Sequence, residues 1–249
     1  MNATEQLMLE VMAELSLSNA PIIFKGAMLL KLALAEQNIP AITRITRDID
    51  GDWYAKDARM EQMKDCLSAA ASRVSSELSV VSSRPLTENT SAGFKVMNND
   101  GDLVFRVDFG KRCHAYTSTY HFQYKGQSLS ICGASLSKML ADKICAISSP
   151  KIFQRSKDLL DAYLLSYCSG FRFHEVFQIA GSNGRKVDDF HAFRKNREDL
   201  LHAYNKLQGI ENKPDFSVVY ERLYVFLVPF ILGQMQDSYW TGAVWQPVF

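Results

Sequence analysis

Phe24-Lys25-Gly26 and, twenty residues on, Thr46-Arg47-Asp48-Ile49-Asp50 are the stretches on which the reading of this chain turns. As a strand, the second has a period of two, so Asp48 and Asp50 share one face while Ile49 turns into the core on the other. Two carboxylates about 4 Å apart repel by roughly 1 kcal/mol in water and roughly 4 kcal/mol at an effective dielectric near 20. A divalent cation reverses that sign. Mg2+ suits such a pair because it takes oxygen ligands, keeps several waters and completes its shell with substrate phosphates. An Asp-x-Asp pair is also a common chance pattern, so its neighbours decide the matter.

The first stretch closes a short apolar run, 21–24, that reads as a buried strand. Residues 27–36 are almost uniformly Ala, Leu and Met, which favours a buried helix beginning at the glycine. A strand, Lys25-Gly26 and a helix in that order offer backbone N–H groups and a positive dipole end to a phosphate, although a plain tight turn has the same appearance. The chain contains neither G-x-x-x-x-G-K-[ST] nor G-x-G-x-x-G, so a P-loop or a dinucleotide fold loses its main support.

Working outward, Leu7, Met8, Val11, Met12 and Leu15 recur at helical spacing over 5–17. The Asp-x-Asp strand spans about 46–54 and a long amphipathic helix about 57–78. Strands near 92–97 and 102–109 are joined by the turn Asn98-Asn99-Asp100-Gly101, and strands 119–124 and 128–132 flank Lys125-Gly126-Gln127. Helices follow at about 135–148, 153–168, 172–181, 187–208 and 215–234. The expectation is an α+β N-terminal half and a helical C-terminal half that divide near residue 133. There are no internal repeats, and Ser-rich 68–83 is patterned as helix then strand.

Further candidates for chemistry lie along this order. In Phe105-Arg106-Val107-Asp108-Phe109, alternation puts Arg106 and Asp108 on one face, where Asp108 is either a solvated carboxylate or a third metal ligand or base. With Leu136 at zero on a helical wheel, Met139, Leu140, Ile144 and Ile147 fall within about 80° and Lys143 about 20° away. A lysine in an apolar stripe must be paired, reach a polar cavity or snorkel at the core's edge. Arg155-Ser156-Lys157-Asp158 opens the next helix. Lys157 and Asp161 are spaced for an exposed i,i+4 pair, and Asp158 points nearer the polar side. The five histidines lack H-x-H or H-E-x-x-H spacing, and 181–186 reads as an inter-helix turn. Trp240, Trp245 and Val248-Phe249 are expected to pack back as a docked tail.

Composition sets the bounds. A chain of 249 residues with 47% apolar content can bury a sizeable core. A net charge of +1 gives no global footprint of nucleic-acid binding, leaving only a local basic patch such as Arg155, Lys157, Arg185, Lys186, Arg194, Lys195 and Arg197. Cys66, Cys113, Cys132, Cys145 and Cys168 form no C-x-x-C pair, which argues against a disulfide framework and a zinc knuckle. The N-terminus has no signal-peptide pattern, and the longest apolar run, 223–232, is about half a membrane span. The expectation is a soluble, cytoplasmic protein that does not engage a membrane.

Taken together, Phe24-Lys25-Gly26-Ala27, Arg44-x-Thr46-x-Asp48-x-Asp50, Asp108, Lys143 and Arg155-x-Lys157-Asp158-x-x-Asp161 resemble the AbiEii family. These are nucleotidyltransferase toxins of type IV toxin–antitoxin systems, with relatives among the MenT toxins. The resemblance runs over about 20–168. It implies a polymerase-β-like nucleotidyltransferase core with a mixed sheet over 1–133, then a helical domain, 134–249, contributing to the active-site cleft. It also implies nucleotide transfer from an NTP with Mg2+ to a hydroxyl acceptor, RNA or tRNA foremost, and a cognate antitoxin encoded nearby. Asp48, Asp50 and Asp108 would hold the metal. Lys143 would contact the triphosphate, Asp158 would support it, and Lys25, Gly26, Ala27, Arg44, Thr46 and Lys157 would line the nucleotide. The chain departs from the superfamily at Ala27, where Ser or Gly is usual, so no hydroxyl meets a phosphate there. A small-molecule or protein acceptor, or a non-catalytic nucleotide-binding protein, are the alternatives.

Overall fold

The computed structural model describes residues 2–39, 45–87, 91–112, 115–182, 186–234 and 236–248. They form two compact units. One holds the described chain up to Glu36 with Ile45–Ala134; the other takes the short stretch after Glu36 and the chain from Ser135 on.

In the first unit the order is α1 (Ala3–Leu17), β1 (Ile22–Lys25), α2 (Gly26–Glu36), β2 (Asp48–Trp53), α3 (Met60–Val74), β3 (Ser79–Arg84), β4 (Ala92–Met97), β5 (Leu103–Lys111), β6 (Thr117–Tyr124) and β7 (Gln127–Ala134). The strands make one sheet in the order β3-β4-β5-β2-β1-β7-β6. β2 runs parallel to β5, and β1 to β7; the other pairs are antiparallel, so the sheet is mixed. Strict alternation builds its apolar face. Ile49, Trp53, Phe94, Phe105, Val107 and Phe109 are all fully buried, each contributing on the order of 2 kcal/mol. α1 and α3, packed on each other, cover that face. The turns follow their residues. Gly101 takes φ 82° in the β4–β5 hairpin, where the Asn98 side chain accepts the Asp102 N–H at 2.7 Å. Lys125 and Gly126 supply two positive φ angles between β6 and β7, the demand of a two-residue primed turn.

Glu5 ties the front of this unit together. It closes a capping box with Asn2 at the start of α1, yet it is fully buried. Its carboxylate also receives the Lys31 ammonium from α2 and the Thr46 backbone N–H, the latter at 3.0 Å. The lead into β2 is thereby fixed to both helices. With Lys31, Thr46 and Asn2 all stabilising the anion, the Glu5 carboxyl lies below its usual range although burial acts against it.

The second unit contains α4 (Leu136–Ser148), a 3₁₀ turn (Ile152–Arg155), α5 (Ser156–Leu165), α6 (Phe173–Ser182), α7 (His191–Lys195), α8 (Arg197–Asn205), α9 (Phe216–Leu232) and a small hairpin of β8 (Ser238–Trp240) and β9 (Trp245–Pro247). The single helix expected over 187–208 is two, because Asn196 leaves helical geometry at φ −111°, ψ 50°. The tail docks through its tryptophans. The Trp240 indole is fully buried and donates to the Ser166 carbonyl at 2.7 Å, while Trp245 donates to Phe226 at 2.8 Å. Phe249 lies outside the described residues. Cys66, Cys132, Cys145 and Cys168 are thiols outside any disulfide. Among the described residues no helix is long and apolar enough to cross a membrane.

Candidate active site

The polar face of the sheet carries one transverse row of side chains. Across β3, β4, β5, β2 and β1 the register aligns Arg84 with Gly93, Gly93 with Asp108, Asp108 with Asp50, and Asp50 with Lys25. Asp48, two residues before Asp50, lies on the same face and level with Arg106. The parallel β2–β5 pairing thus joins residues sixty apart in the chain into one carboxylate cluster.

Among the carboxylates of the row, Asp108 has a raised protonation range. Burial pushes the Asp108 carboxyl above its ordinary range and the Asp48 charge adds to this, while Arg84, Arg106 and Lys25 only partly oppose it. Lys25, which faces Asp50 in register, sends its ammonium to Asp52 at 2.5 Å. Asp52 is buried and stands opposite Gly110 in the β2–β5 register. A Cβ on Gly110 would come within 2.7 Å of the Asp52 Oδ1 and 3.7 Å of the Lys25 Nζ, so the glycine makes room for this pair.

Gly26 is required twice over. It opens α2 at φ 76°, and a Cβ there would lie 2.3 Å from the Asp50 Oδ2. A carboxylate that close to the first residue of a helix gains from the dipole, and the same N-terminus can receive phosphate oxygens. Ala27 follows it, partly exposed.

A second cluster lies within the helical unit. Lys143 on α4 donates to the Asp158 Oδ1 at 2.6 Å and the Asp161 Oδ2 at 2.7 Å, and the Arg155 Nε donates to the Asp158 Oδ2 at 2.6 Å. Both carboxylates are buried. Burial would lower the Lys143 pKa, but Asp161 and Asp158 outweigh it and the ammonium is held above its usual range. Burial would likewise raise Asp158, but Lys143 and Arg155 hold its carboxyl below the usual carboxylate range. The helical wheel puts Asp158 nearer the polar side, yet it is 5% exposed, because Lys143 from another helix supplies its partner. Asp161 pairs with Lys143 rather than forming the simple surface pair with Lys157 that the spacing suggests; Lys157 is exposed.

The remaining candidates divide. Thr46 is buried and commits its backbone N–H to Glu5. Arg44 lies outside the described residues. The period of two that selects Asp48 and Asp50 continues to Asp52, which the sequence pattern also reaches. Arg84 and Glu5 have no such local signal, because their places depend on long-range pairing.

A family model, described as nucleotidyl transferase AbiEii toxin of type IV toxin–antitoxin systems, matches residues 8–218. Among solved structures, JHP933 from Helicobacter pylori matches with a TM-score of 0.56 at 15% identity, covering 92% of this chain and 90% of that one. MenT4, a nucleotidyltransferase toxin from Mycobacterium tuberculosis H37Rv, matches with a TM-score of 0.56 at 13% identity, covering 88% of this chain and 80% of that one. Among curated proteins no sequence matches the chain. At these identities the two structures speak for the fold, a mixed α/β sheet with a helical C-terminal region. The family model reaches from α1 to the start of α9, most of the chain, and so the chain belongs to the AbiEii family of nucleotidyltransferase toxins of type IV toxin–antitoxin systems.

Proposed function

We propose that this nucleotidyltransferase uses Mg2+ and moves a nucleotide from an NTP to a hydroxyl of an RNA acceptor, with tRNA as the acceptor class. The observation that supports this most is the alignment of Asp108 with Asp50, and of both with Asp48, on one face beside the glycine that opens α2. The donor set fits the metal. Carboxylate oxygens suit a hard cation, and burial together with the Asp48 charge holds the Asp108 carboxyl above its ordinary range, which a bound cation would oppose. Among the described residues no group of three or more acidic, His or Cys side chains is placed to hold a metal ion by itself. On this reading waters and substrate phosphates complete the shell of a Mg2+ ion held by the carboxylates. When bound, such an ion polarises the phosphoryl group and takes up charge on the leaving oxygens.

The chain's own residues supply the rest. The acceptor oxygen bonds to the α-phosphorus, the bond from that phosphorus to the bridging oxygen breaks, and pyrophosphate leaves with the electron pair. Asp108 takes the hydroxyl proton, a role its raised protonation range supports. Backbone N–H groups after Gly26 and the positive end of α2 hold phosphate oxygens in place of the hydroxyl that Ala27 lacks. Lys25, Arg44 and Thr46 belong to the nucleotide side of this reading, as does Lys157. Lys143 is its phosphate-contacting lysine, held by Asp158.

The test incubates the protein with each labelled NTP, Mg2+ and either total RNA or whole lysate. Label in RNA is the expected result. Label in protein or a small metabolite replaces the acceptor, and binding of NTP without any transfer sinks the catalytic reading.

A further inference from the structure

We propose that Arg84 is the resident counter-cation of Asp108 in the carboxylate row: a positioning residue that holds this carboxylate and keeps a divalent ion from binding tightly before nucleotide arrives. The inference rests on the reading that Asp48, Asp50 and Asp108 take a divalent cation.

Three features of the chain are arranged to deliver this guanidinium. The first is a β-bulge. Ser82 pairs with Phe94 and Arg84 with Gly93, so the register shifts by one residue at Ser83. Without that shift Arg84 would share the face of Ser82 and Val80, on the apolar side of the sheet; the extra residue turns it to the carboxylate face. The second is a gap. To reach Asp108 on β5 from β3, Arg84 must cross β4, and the position it crosses is Gly93. A Cβ on Gly93 would come within 3.0 Å of the Arg84 Cβ and 3.3 Å of the Asp108 Oδ1. The third is a clamp. Arg84 donates from Nε to the Ser91 carbonyl at 2.9 Å and from Nη2 to the Ser91 hydroxyl at 2.7 Å, and the same Nη2 donates to the Asp108 Oδ1.

The charge logic follows. A guanidinium stays protonated at any working pH and cannot leave by losing its proton. A cation that takes the Asp108 oxygen must displace it, or bind beside it and bear the repulsion. A triphosphate changes that balance, because its negative charge attracts both the ion and the guanidinium. Arg84 therefore holds Asp108 until an ion arrives and couples ion binding to nucleotide binding.

The test is a Mn2+ titration of the full chain without nucleotide, following the electron paramagnetic resonance signal of the free ion. Arg84→Met should bind Mn2+ about tenfold tighter than the wild type, a modest figure because the pair is partly exposed and screened. Arg84→Lys, which keeps a charge, should stay within about twofold of the wild type. Gly93→Val, which crowds the crossing but leaves the guanidinium in the chain, should move in the same direction as Arg84→Met. Arg84 lies on an edge strand with half its side chain exposed, so thermal unfolding should show these variants folded. Unchanged or weaker Mn2+ binding by Arg84→Met, with the wild type binding normally, overturns this proposal and leaves the proposed function standing. A wild type that binds no Mn2+ even with an NTP present overturns the metal reading itself.

Discussion

The sheet row and the α4–α5 cluster are made from the same side chains, aspartates with lysine and arginine, but their carboxylates respond in opposite directions. Asp108 in the sheet is held above its ordinary protonation range despite the Arg84 contact. Asp158 among the helices is held below it, although it is the more deeply buried of the two. Burial acts the same way on both, so the difference lies in the partners. Asp158 receives Lys143 on one oxygen and Arg155 on the other. Asp108 has Arg84 on one oxygen and the Asp48 charge nearby. Two cations hold Asp158 in its charged form, whereas Asp108 is the less compensated carboxylate and, on the proposed reading, one that a divalent cation would join.

The largest effect should come from the sheet row. Asp48→Asn combined with Asp50→Asn is expected to lower nucleotide transfer by at least about a thousandfold, measured with labelled NTP, while thermal unfolding shows the fold retained. Persistence of transfer would refute the metal assignment. A large drop in the midpoint would mean that the row serves the fold, and the contrast would collapse.

The α4–α5 cluster should fail in the opposite manner. Lys143→Met leaves Asp158 and Asp161 buried without their shared ammonium, and breaking such a pair costs about 3 kcal/mol of stability. Urea unfolding reads this directly. Loss of transfer beyond what the lost stability explains supports the phosphate contact proposed for Lys143; unchanged transfer in the folded variant refutes it.

How much of each cluster the sequence reveals depends on the range of the interaction that forms it. Asp48, Asp50 and Asp108 are legible because strand alternation is local, and so is Lys143, because helix periodicity is local. Asp52 is within reach of the same rule. Asp158 reads as a polar-side residue because a wheel drawn for α5 alone cannot include a lysine arriving from α4. Glu5 reads as an ordinary first-turn acid, since the partners that bury it lie 26 and 41 residues away. Arg84 was beyond reach for a different reason. A single extra residue at Ser83 inverts the parity of everything after it in β3, and no pattern in Ser82-Ser83-Arg84 announces the bulge. In the same way the break at Asn196 interrupts a continuous helical pattern through backbone geometry alone.

The smallest effect, and the finest division between the clusters, is in the pH dependence of stability. Asp158 has a lowered folded pKa, so its contribution is full above the unfolded value near 3.8 and is lost as pH falls through the folded one. Lys143, raised from 10.5, contributes fully below that value and loses its contribution only as pH rises through the folded one. Asp108 has the opposite sign to Asp158. Its folded pKa is raised, so its ionised form costs stability at neutral pH, and acidification through the raised pKa removes that cost before Asp158 begins to fail. Asp108→Asn should therefore leave stability at pH 7 unchanged or higher by a few tenths of a kcal/mol, a figure kept small because the side chain is about one-third exposed. Asp158→Asn should lower stability at pH 7 and flatten the acid limb below about pH 4. Urea midpoints taken from pH 7 to pH 3 on both variants decide it: if Asp108→Asn also destabilises at pH 7 and flattens the same limb, both carboxylates are structural and the contrast between the clusters fails.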